Sequence, residues 1–252
     1  MDENLAMLIE LSHQLADPAF NLAILGEGNT STRCDQETFW VKASGSQLAT
    51  IDSHGFSRVN GRAVLDLLDN QQLSDAEIET GLKSALADKS MKKPSVETFL
   101  HAICLFEIGV DWVAHTHPIS AMSILCSTAG ADPFKQHIFP DEIVVCGQAP
   151  VVIPYIDPGL PLARYIRNEL KRYLDAHGEP PKLMLMENHG IVALGMQPAD
   201  VLNISLMADK WSRTILGTYT MGGPKYLSQE QVERIDTRPD EAYRRRLLSS
   251  LN

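Results

Sequence analysis

Two of the eight histidines, His115 and His117, stand one residue apart after the apolar residues Trp112, Val113 and Ala114. The segment from 111 to 116 is predicted to be a strand, where residues i and i+2 point to the same face. The two imidazoles would then project side by side, and imidazole is a good ligand for zinc and its first-row neighbours. Two core or surface histidines would show the same pattern, so the pair alone leaves both interpretations open.

His189 and Glu97 favour the metal hypothesis. His189 follows a short apolar run and precedes Gly190, which indicates a position where a strand meets a turn. Glu97 is predicted to lie in the first turn of a helix with Ser95 as its N-cap, where the helix dipole favours a carboxylate. Three histidines and one carboxylate match a catalytic zinc site, which has three protein ligands and a labile fourth position.

Five short motifs occur in an order that resembles the class II aldolase/adducin family over residues 5–216. They are Gly28-Asn29-Thr30-Ser31, Ala43-Ser44-Gly45, Ser95-Val96-Glu97, His115-Thr116-His117-Pro118 and Asn188-His189-Gly190. The family includes fuculose-phosphate and rhamnulose-phosphate aldolases, ribulose-phosphate 4-epimerases and the non-enzymatic adducin heads. The resemblance implies that His115, His117 and His189 bind a divalent metal ion, with zinc expected. It also implies that Glu97 is a metal ligand at rest and the acid/base when substrate binds.

The same resemblance implies that Asn29, Ser44, Gly45 and Ser95 bind a substrate phosphate. Loop amides and hydroxyls near helix starts do bind anions. This chain departs from the family pattern at Val96, which replaces a second serine and removes one phosphate donor. A phosphate held differently, a carboxylate or no anion all remain open, and the neighbouring Lys42 is a candidate for the missing positive charge.

The activity implied is that of an aldolase, a lyase that cleaves a carbon–carbon bond of a keto-sugar phosphate or keto-sugar acid through a metal-stabilised enediolate. Two alternatives use the same metal, a sugar-phosphate epimerase and a keto-acid decarboxylase. A third is an adducin-like binding module without activity, against which the retained histidines and glutamate argue.

The resemblance also implies a homotetramer whose active sites lie between subunits. Family aldolases take a tyrosine proton donor from a neighbouring subunit, and residues 139–141 offer none. The candidates for that donor are Asp141, Tyr219, Tyr226 and Tyr243.

The composition argues against binding to nucleic acid or to an anionic membrane. With 44% hydrophobic and 21% charged residues the chain can bury a core, and its net charge of −10 offers no basic surface for nucleic acid or an anionic membrane. The short arginine run at 244–246 is interpreted as a solvated helix face. No signal peptide and no apolar run long enough to span a bilayer are found, so a cytoplasmic enzyme is expected.

Hydrophobic periodicity and turn residues predict an α/β fold: a single three-layer α/β/α domain over residues 1–252, with a mostly antiparallel or mixed central sheet and a C-terminal tail from about residue 217. Strands are predicted at residues 38–42, 111–116, 143–145, 151–155, 183–186 and 191–194. Helices are predicted at residues 5–16, 64–68, 75–87, 160–176, 198–216 and 240–248, and directly after Pro94. Residues 26–31 are predicted to form a polar glycine loop.

Overall fold

One mixed sheet forms the centre of the molecule. The computed structural model describes residues 2–70 and 72–240, and its strands there are β1 (Asn29–Arg33), β2 (Thr38–Lys42), β3 (Phe56–Asn60), β4 (Trp112–Thr116), β5 (Val151–Ile153), β6 (Leu183–Met186) and β7 (Gly190–Gly195). They lie in the order β3-β2-β1-β4-β7-β6-β5. Every pair is antiparallel except β5 with β6. The predicted α/β class with a mostly antiparallel or mixed sheet is confirmed.

Helices cover both faces of this sheet. They are α1 (Glu3–Leu15), α2 (Gly61–Asp69), α3 (Asp75–Ser84), α4 (Thr98–Ile103), α5 (Ile119–Leu125), α6 (Pro140–Cys146), α7 (Leu160–His177), α8 (Pro198–Tyr219) and α9 (Gln229–Thr237). Buried residues of α2, α3, α4 and α7 form one apolar cluster, and those of α1, α5 and α8 form the other. Along β4, Val113 belongs to the first cluster while Trp112 and Ala114 belong to the second. This alternation is what a strand buried on both faces requires.

The predicted strand at residues 143–145 is wrong, because these residues lie inside α6. Pro140 occupies the first helical position, which suits its fixed φ. The Glu142 carboxylate accepts hydrogen bonds from the backbone amides of Ile138 (2.5 Å) and Phe139 (3.3 Å), two donors that the helix start leaves without partners. Ile143 is fully buried. Capping and packing therefore override the strand preference of the β-branched run.

The predicted loop at residues 26–31 is wrong in its second half, because strand β1 begins at Asn29 and pairs with both β2 and β4. Its polar side chains are tolerated in the interior because each has a partner. Thr30 and Ser12 share a hydrogen bond of 2.7 Å between their hydroxyls, and Ser31 Oγ lies 2.6 Å from His101 Nδ1. Buried polar groups are stable only with such partners.

The start of α4 also differs from the prediction. Its N-cap is Glu97 rather than Ser95, and the Glu97 side chain makes no capping hydrogen bond. The carboxylate is turned instead toward Asn29 and the histidines. At its other end α4 continues into a π-helical turn, Cys104–Ile108.

The C-terminal segment packs beside α6. The backbone amide of Leu227 donates to the His137 carbonyl at 2.8 Å, and Gln148 Nε2 donates to Asp236 Oδ2 at 2.8 Å. Tyr243, the arginines at 244–246 and nearly all of the helix predicted at 240–248 lie outside the described residues. Within residues 2–70 and 72–240, no helix has both the length and the apolar character needed to cross a membrane.

Candidate metal and active site

The three predicted metal-ligating histidines converge at one edge of the sheet. Strand β4 carries His115 and ends one residue before His117, and β7 begins directly after His189. The antiparallel register aligns Thr116 with Ile191, so these two strand ends meet. One ring nitrogen from each histidine lies within 4.8 Å of the others, and the Nε2 atoms of His115 and His117 are 3.0 Å apart. The three histidines can therefore hold one metal ion.

The hydrogen bonds of His115 and His117 determine which ring nitrogens face the site. His115 Nδ1 lies 2.9 Å from the Ile191 carbonyl oxygen, and His117 Nδ1 lies 3.2 Å from Glu27 Oε2. Carbonyl and carboxylate oxygens only accept hydrogen bonds, so both Nδ1 atoms must donate. In their neutral form, in which imidazole binds metal, the two rings then direct their Nε2 lone pairs toward each other. Two facing lone pairs suit a cation bound between them.

The Glu97 carboxylate lies beside the histidines. Its Oε1 lies 3.2 Å from His189 Nε2 and 3.6 Å from His115 Nε2. Its other oxygen, Oε2, accepts a hydrogen bond from the side-chain amide of Asn29. Burial by itself would raise the pKa of Glu97, but His115 and His189 outweigh burial and hold that pKa well below its usual range. Glu97 is therefore ionised at neutral pH, the form in which a carboxylate can ligate a metal.

A chain of buried hydrogen bonds orients Glu97. His101 Nε2 is hydrogen-bonded to Asn29 Oδ1, which only accepts, so Nε2 carries the proton and Nδ1 accepts one from Ser31 Oγ. This arrangement fixes the Asn29 amide with its nitrogen toward Glu97. Both polar groups of the Asn29 side chain thus have partners within the protein. Asn29 therefore positions Glu97, a role that the sequence analysis did not assign. The predicted contact of Asn29 with substrate stays a prediction.

Burial in the protein lowers the pKa values of His101 and His117. Burial lowers the pKa of His101 to about 3, and burial together with the neighbouring His115 lowers that of His117 to about 4. For His115, burial acts in the same direction, but Glu97 outweighs it and raises the pKa. His101 and His117 are therefore neutral at pH 7, the form in which imidazole binds metal.

The turn between β6 and β7 has a backbone that few residues tolerate. Asn188 adopts a left-handed conformation (φ 55°), which asparagine accepts more readily than most residues. At Gly190 a Cβ atom would lie 2.5 Å from His117 Cδ2 and 2.7 Å from the Thr116 carbonyl oxygen. The missing side chain of Gly190 allows β7 to pass directly beside the rings of His115 and His117.

The predicted anion-binding residues lie on two adjoining segments. A β-bridge between Ala43 and Pro94 joins the turn of Ser44 and Gly45 to the segment that carries Ser95. Gly45 has φ 80°, and a Cβ atom placed there would meet nothing within 4 Å. Ser44 and Gly45 are exposed and Ser95 is half-buried, so the side-chain hydroxyls of both segments are accessible to a ligand, whereas the Ser44 backbone amide donates to the Lys93 carbonyl at 3.0 Å.

Comparison with known proteins agrees with this geometry. The model of the family described as "Class II Aldolase and Adducin N-terminal domain" matches residues 6–216. The chain belongs to this family. Its members are generally dependent on a divalent metal, which the histidine cluster is able to bind.

One curated relative shows how far the likeness in sequence extends. YuxG from Bacillus subtilis (strain 168), which is named an uncharacterized oxidoreductase, is 35% identical over 178 residues. The match covers 68% of this chain and 23% of YuxG, so the chain spans less than a quarter of that relative's length.

Solved structures share the fold. The N-terminal class II aldolase domain of a protein from Thermoplasma acidophilum is 25% identical with a TM-score of 0.68, over 86% of this chain and 95% of that one. An L-fuculose 1-phosphate aldolase is 16% identical with a TM-score of 0.69, over 94% of this chain and 95% of that one.

Two residues near the site make contacts that the sequence analysis did not predict. Glu27, in the glycine loop, contacts His117, a predicted metal ligand, yet no local pattern distinguishes it from an ordinary loop glutamate. Lys42 was considered as a charge for the substrate. Its side chain is buried and Nζ donates to the Gly26 carbonyl at 2.9 Å. Burial lowers the pKa of Lys42, and Glu97 opposes that effect.

Proposed function

We propose that this chain is a metal-dependent aldolase that cleaves a carbon–carbon bond of a keto-sugar phosphate or keto-sugar acid. The observation that carries this proposal is the convergence of His115, His117 and His189 with the carboxylate of Glu97 at one sheet edge. Three imidazole nitrogen ligands and an ionised carboxylate fit a catalytic site for a divalent ion, and the histidine-rich ligand set favours zinc.

The divalent ion would supply Lewis acidity, which stabilises negative charge on an oxygen beside the bond that breaks. The protein's own contribution begins with Glu97. Cleavage converts the hydroxyl on the departing carbon into an aldehyde, with loss of its proton to a second base, and leaves an electron pair on the carbon beside the ketone. A proton must be added to that carbon; bond formation reverses both proton transfers. Glu97 is ionised, and Asn29 holds one of its oxygens. It is thus prepared to accept the proton in the direction of bond formation and, once protonated, to deliver it in the direction of cleavage.

The anionic end of the substrate is assigned to the turn of Ser44 and Gly45 together with Ser95. Exposed backbone amides and hydroxyls can bind a phosphate or a carboxylate without a fixed positive charge. Val96 is 44% exposed beside them and offers no hydrogen bond. A smaller anion such as a carboxylate needs fewer donors than a phosphate, so both substrate classes belong in the test.

We predict one tightly bound divalent ion per chain. Changing His115 to Ala should remove most of the affinity, because three nitrogen ligands become two. His54, which is exposed, provides a matched control as His54→Ala. Elemental analysis of untagged protein after reloading with zinc, manganese or cobalt measures the stoichiometry. Metal well below one equivalent after reloading, or equal binding by both variants, would contradict the site.

Activity is tested by incubating the metal-loaded protein with keto-sugar phosphates and keto-sugar acids. Release of an aldehyde that requires the metal supports the aldolase. Release of carbon dioxide, or formation of an epimer with no net cleavage, would instead assign the same residues to decarboxylation or epimerisation. Stoichiometric metal without any of these reactions across the panel would favour a binding module.

We also predict a closed homo-oligomer, with a tetramer expected from the family resemblance. Closed symmetry is the usual arrangement of soluble homo-oligomers. Light scattering at micromolar concentration measures the mass directly. A mass equal to that of a single chain would refute this prediction.

A further inference from the structure

Glu27 contacts the metal site from behind one of its histidines. Its Oε2 lies 3.2 Å from His117 Nδ1, the ring nitrogen that faces away from His115. Its Oε1 accepts a hydrogen bond of 2.7 Å from the backbone amide of Ile24. The carboxylate thus makes one hydrogen bond to the imidazole and one to the backbone of its own loop.

The backbone on both sides of Glu27 is anchored. Lys42 Nζ donates to the Gly26 carbonyl at 2.9 Å, and the backbone amide of His117 donates to the Leu22 carbonyl at 2.8 Å. After Glu27, Gly28 has φ 68°, and a Cβ atom there would lie 2.8 Å from the His115 carbonyl oxygen. The glycine lets the loop approach β4 closely. The position of Glu27 is therefore set by three separate contacts with the elements that form the site.

We propose that Glu27 is a positioning residue that orients His117 as a metal ligand. The inference rests on the proposed metal site, and it assigns a function to the loop of residues 22–28. The carboxylate accepts a hydrogen bond from the His117 Nδ1–H group. This bond keeps the Nε2 lone pair directed at the metal and raises the basicity of the ring. A carboxylate behind a metal-bound histidine commonly affects metal affinity in this way.

The contacts also argue for a carboxylate in particular at position 27. The Ile191 carbonyl holds the corresponding nitrogen of His115 within the sheet, but His117 lies beyond the end of β4. Without the regular strand to fix it, the His117 ring depends on a side chain for its orientation. The side chains of Glu27 and His117 are 29% and 20% exposed, so water would compete for Nδ1 if the carboxylate were removed.

The test is a Co²⁺ titration of metal-free protein in the presence of a competing chromophoric chelator. Glu27→Ala should bind Co²⁺ about 10- to 100-fold more weakly than the unaltered chain, the range usual for loss of such a partner. Glu27→Gln should lose less Co²⁺ affinity, because the glutamine amide oxygen still accepts a hydrogen bond from the His117 Nδ1–H group. The visible spectrum of the Co²⁺ complex of Glu27→Ala should shift toward that of His117→Ala. A purely structural role in the loop would not produce that shift.

Glu10→Gln is the matched control, because it removes one negative charge from an exposed residue of α1, as Glu27→Gln does in the loop. It should bind Co²⁺ as the unaltered chain does. Equal affinity and an unchanged spectrum in Glu27→Ala would overturn the inference while leaving the metal site intact. Absence of Co²⁺ binding by the unaltered chain would overturn the metal site and the inference with it. If Glu27→Ala fails to fold, the comparison of Glu27→Gln with Glu10→Gln decides: a measurable loss only in the former supports the inference, and no difference overturns it.

Discussion

Glu97→Gln should retain the fold and the bound metal while losing about 10²- to 10⁴-fold in turnover, the usual contribution of a general acid–base group. Glutamine has the same size, and its amide oxygen can still accept the hydrogen bond from Asn29. It cannot accept or deliver the proton that the carbon requires. The side chain also lies 3.2 Å from His189 Nε2, so a modest loss of metal affinity should accompany the loss of turnover. The prediction is tested by steady-state rates on the substrate that the panel of keto-sugar phosphates and keto-sugar acids identifies, measured together with metal content and circular dichroism.

A control for this variant is Glu230→Gln, which changes an exposed glutamate in the first turn of α9. It should leave the rate unaltered. Near-normal turnover by Glu97→Gln with a full complement of metal would reduce Glu97 to an N-cap carboxylate without a chemical role. Global unfolding of the variant would show that its role is structural and would leave the identity of the base open.

Gly190→Ala should disrupt the metal site although alanine adds only one carbon. The new Cβ would lie 2.5 Å from His117 Cδ2 and 2.7 Å from the Thr116 carbonyl oxygen. That carbonyl belongs to β4, whose register with β7 leaves little freedom to move. The His117 ring must therefore shift or the strands must separate. Overpacking of this kind costs about 1–3 kcal/mol of stability, and a displacement of about 1 Å in a catalytic group costs about 10²-fold in rate.

The measurements for Gly190→Ala are thermal unfolding and the same Co²⁺ titration. Gly217→Ala provides the comparison, because Gly217 lies in α8 and a Cβ atom there meets nothing within 4 Å. Alanine in a helix is favoured over glycine by up to about 1 kcal/mol, so that variant should be as stable as the parent chain or slightly more so. Unchanged Co²⁺ affinity and spectrum in Gly190→Ala would show that the site does not depend on this close contact.

Local patterns in the sequence predicted much of this architecture. The long helices α7 and α8 and strands β2, β4 and β6 follow from apolar periodicity and turn residues, because each element buries a face that its own residues define. The spacing of His115 and His117 likewise indicated a shared face at a strand end. Such features depend on neighbours within a few positions, so they can be interpreted without tertiary contacts.

Tertiary structure decided the elements whose local pattern was ambiguous. The β-branched run at residues 143–145 became helical because Glu142 caps α6 and because α8 covers it. Strand β1 formed from residues that resemble a loop, because His101 and Ser12 supply hydrogen-bond partners from distant parts of the chain. In both cases the deciding energy comes from non-local contacts.

The same division applies to the site. Sequence motifs predicted the three histidines and Glu97 as site residues, but not the orienting contacts of Asn29 and Glu27. Asn29 is 68 positions from Glu97, and Glu27 is 90 positions from His117. A hydrogen bond between side chains so distant in sequence leaves no periodic trace. Only the folded sheet, which places the starts of β1 and β7 beside the end of β4, brings these donors and acceptors within reach of each other.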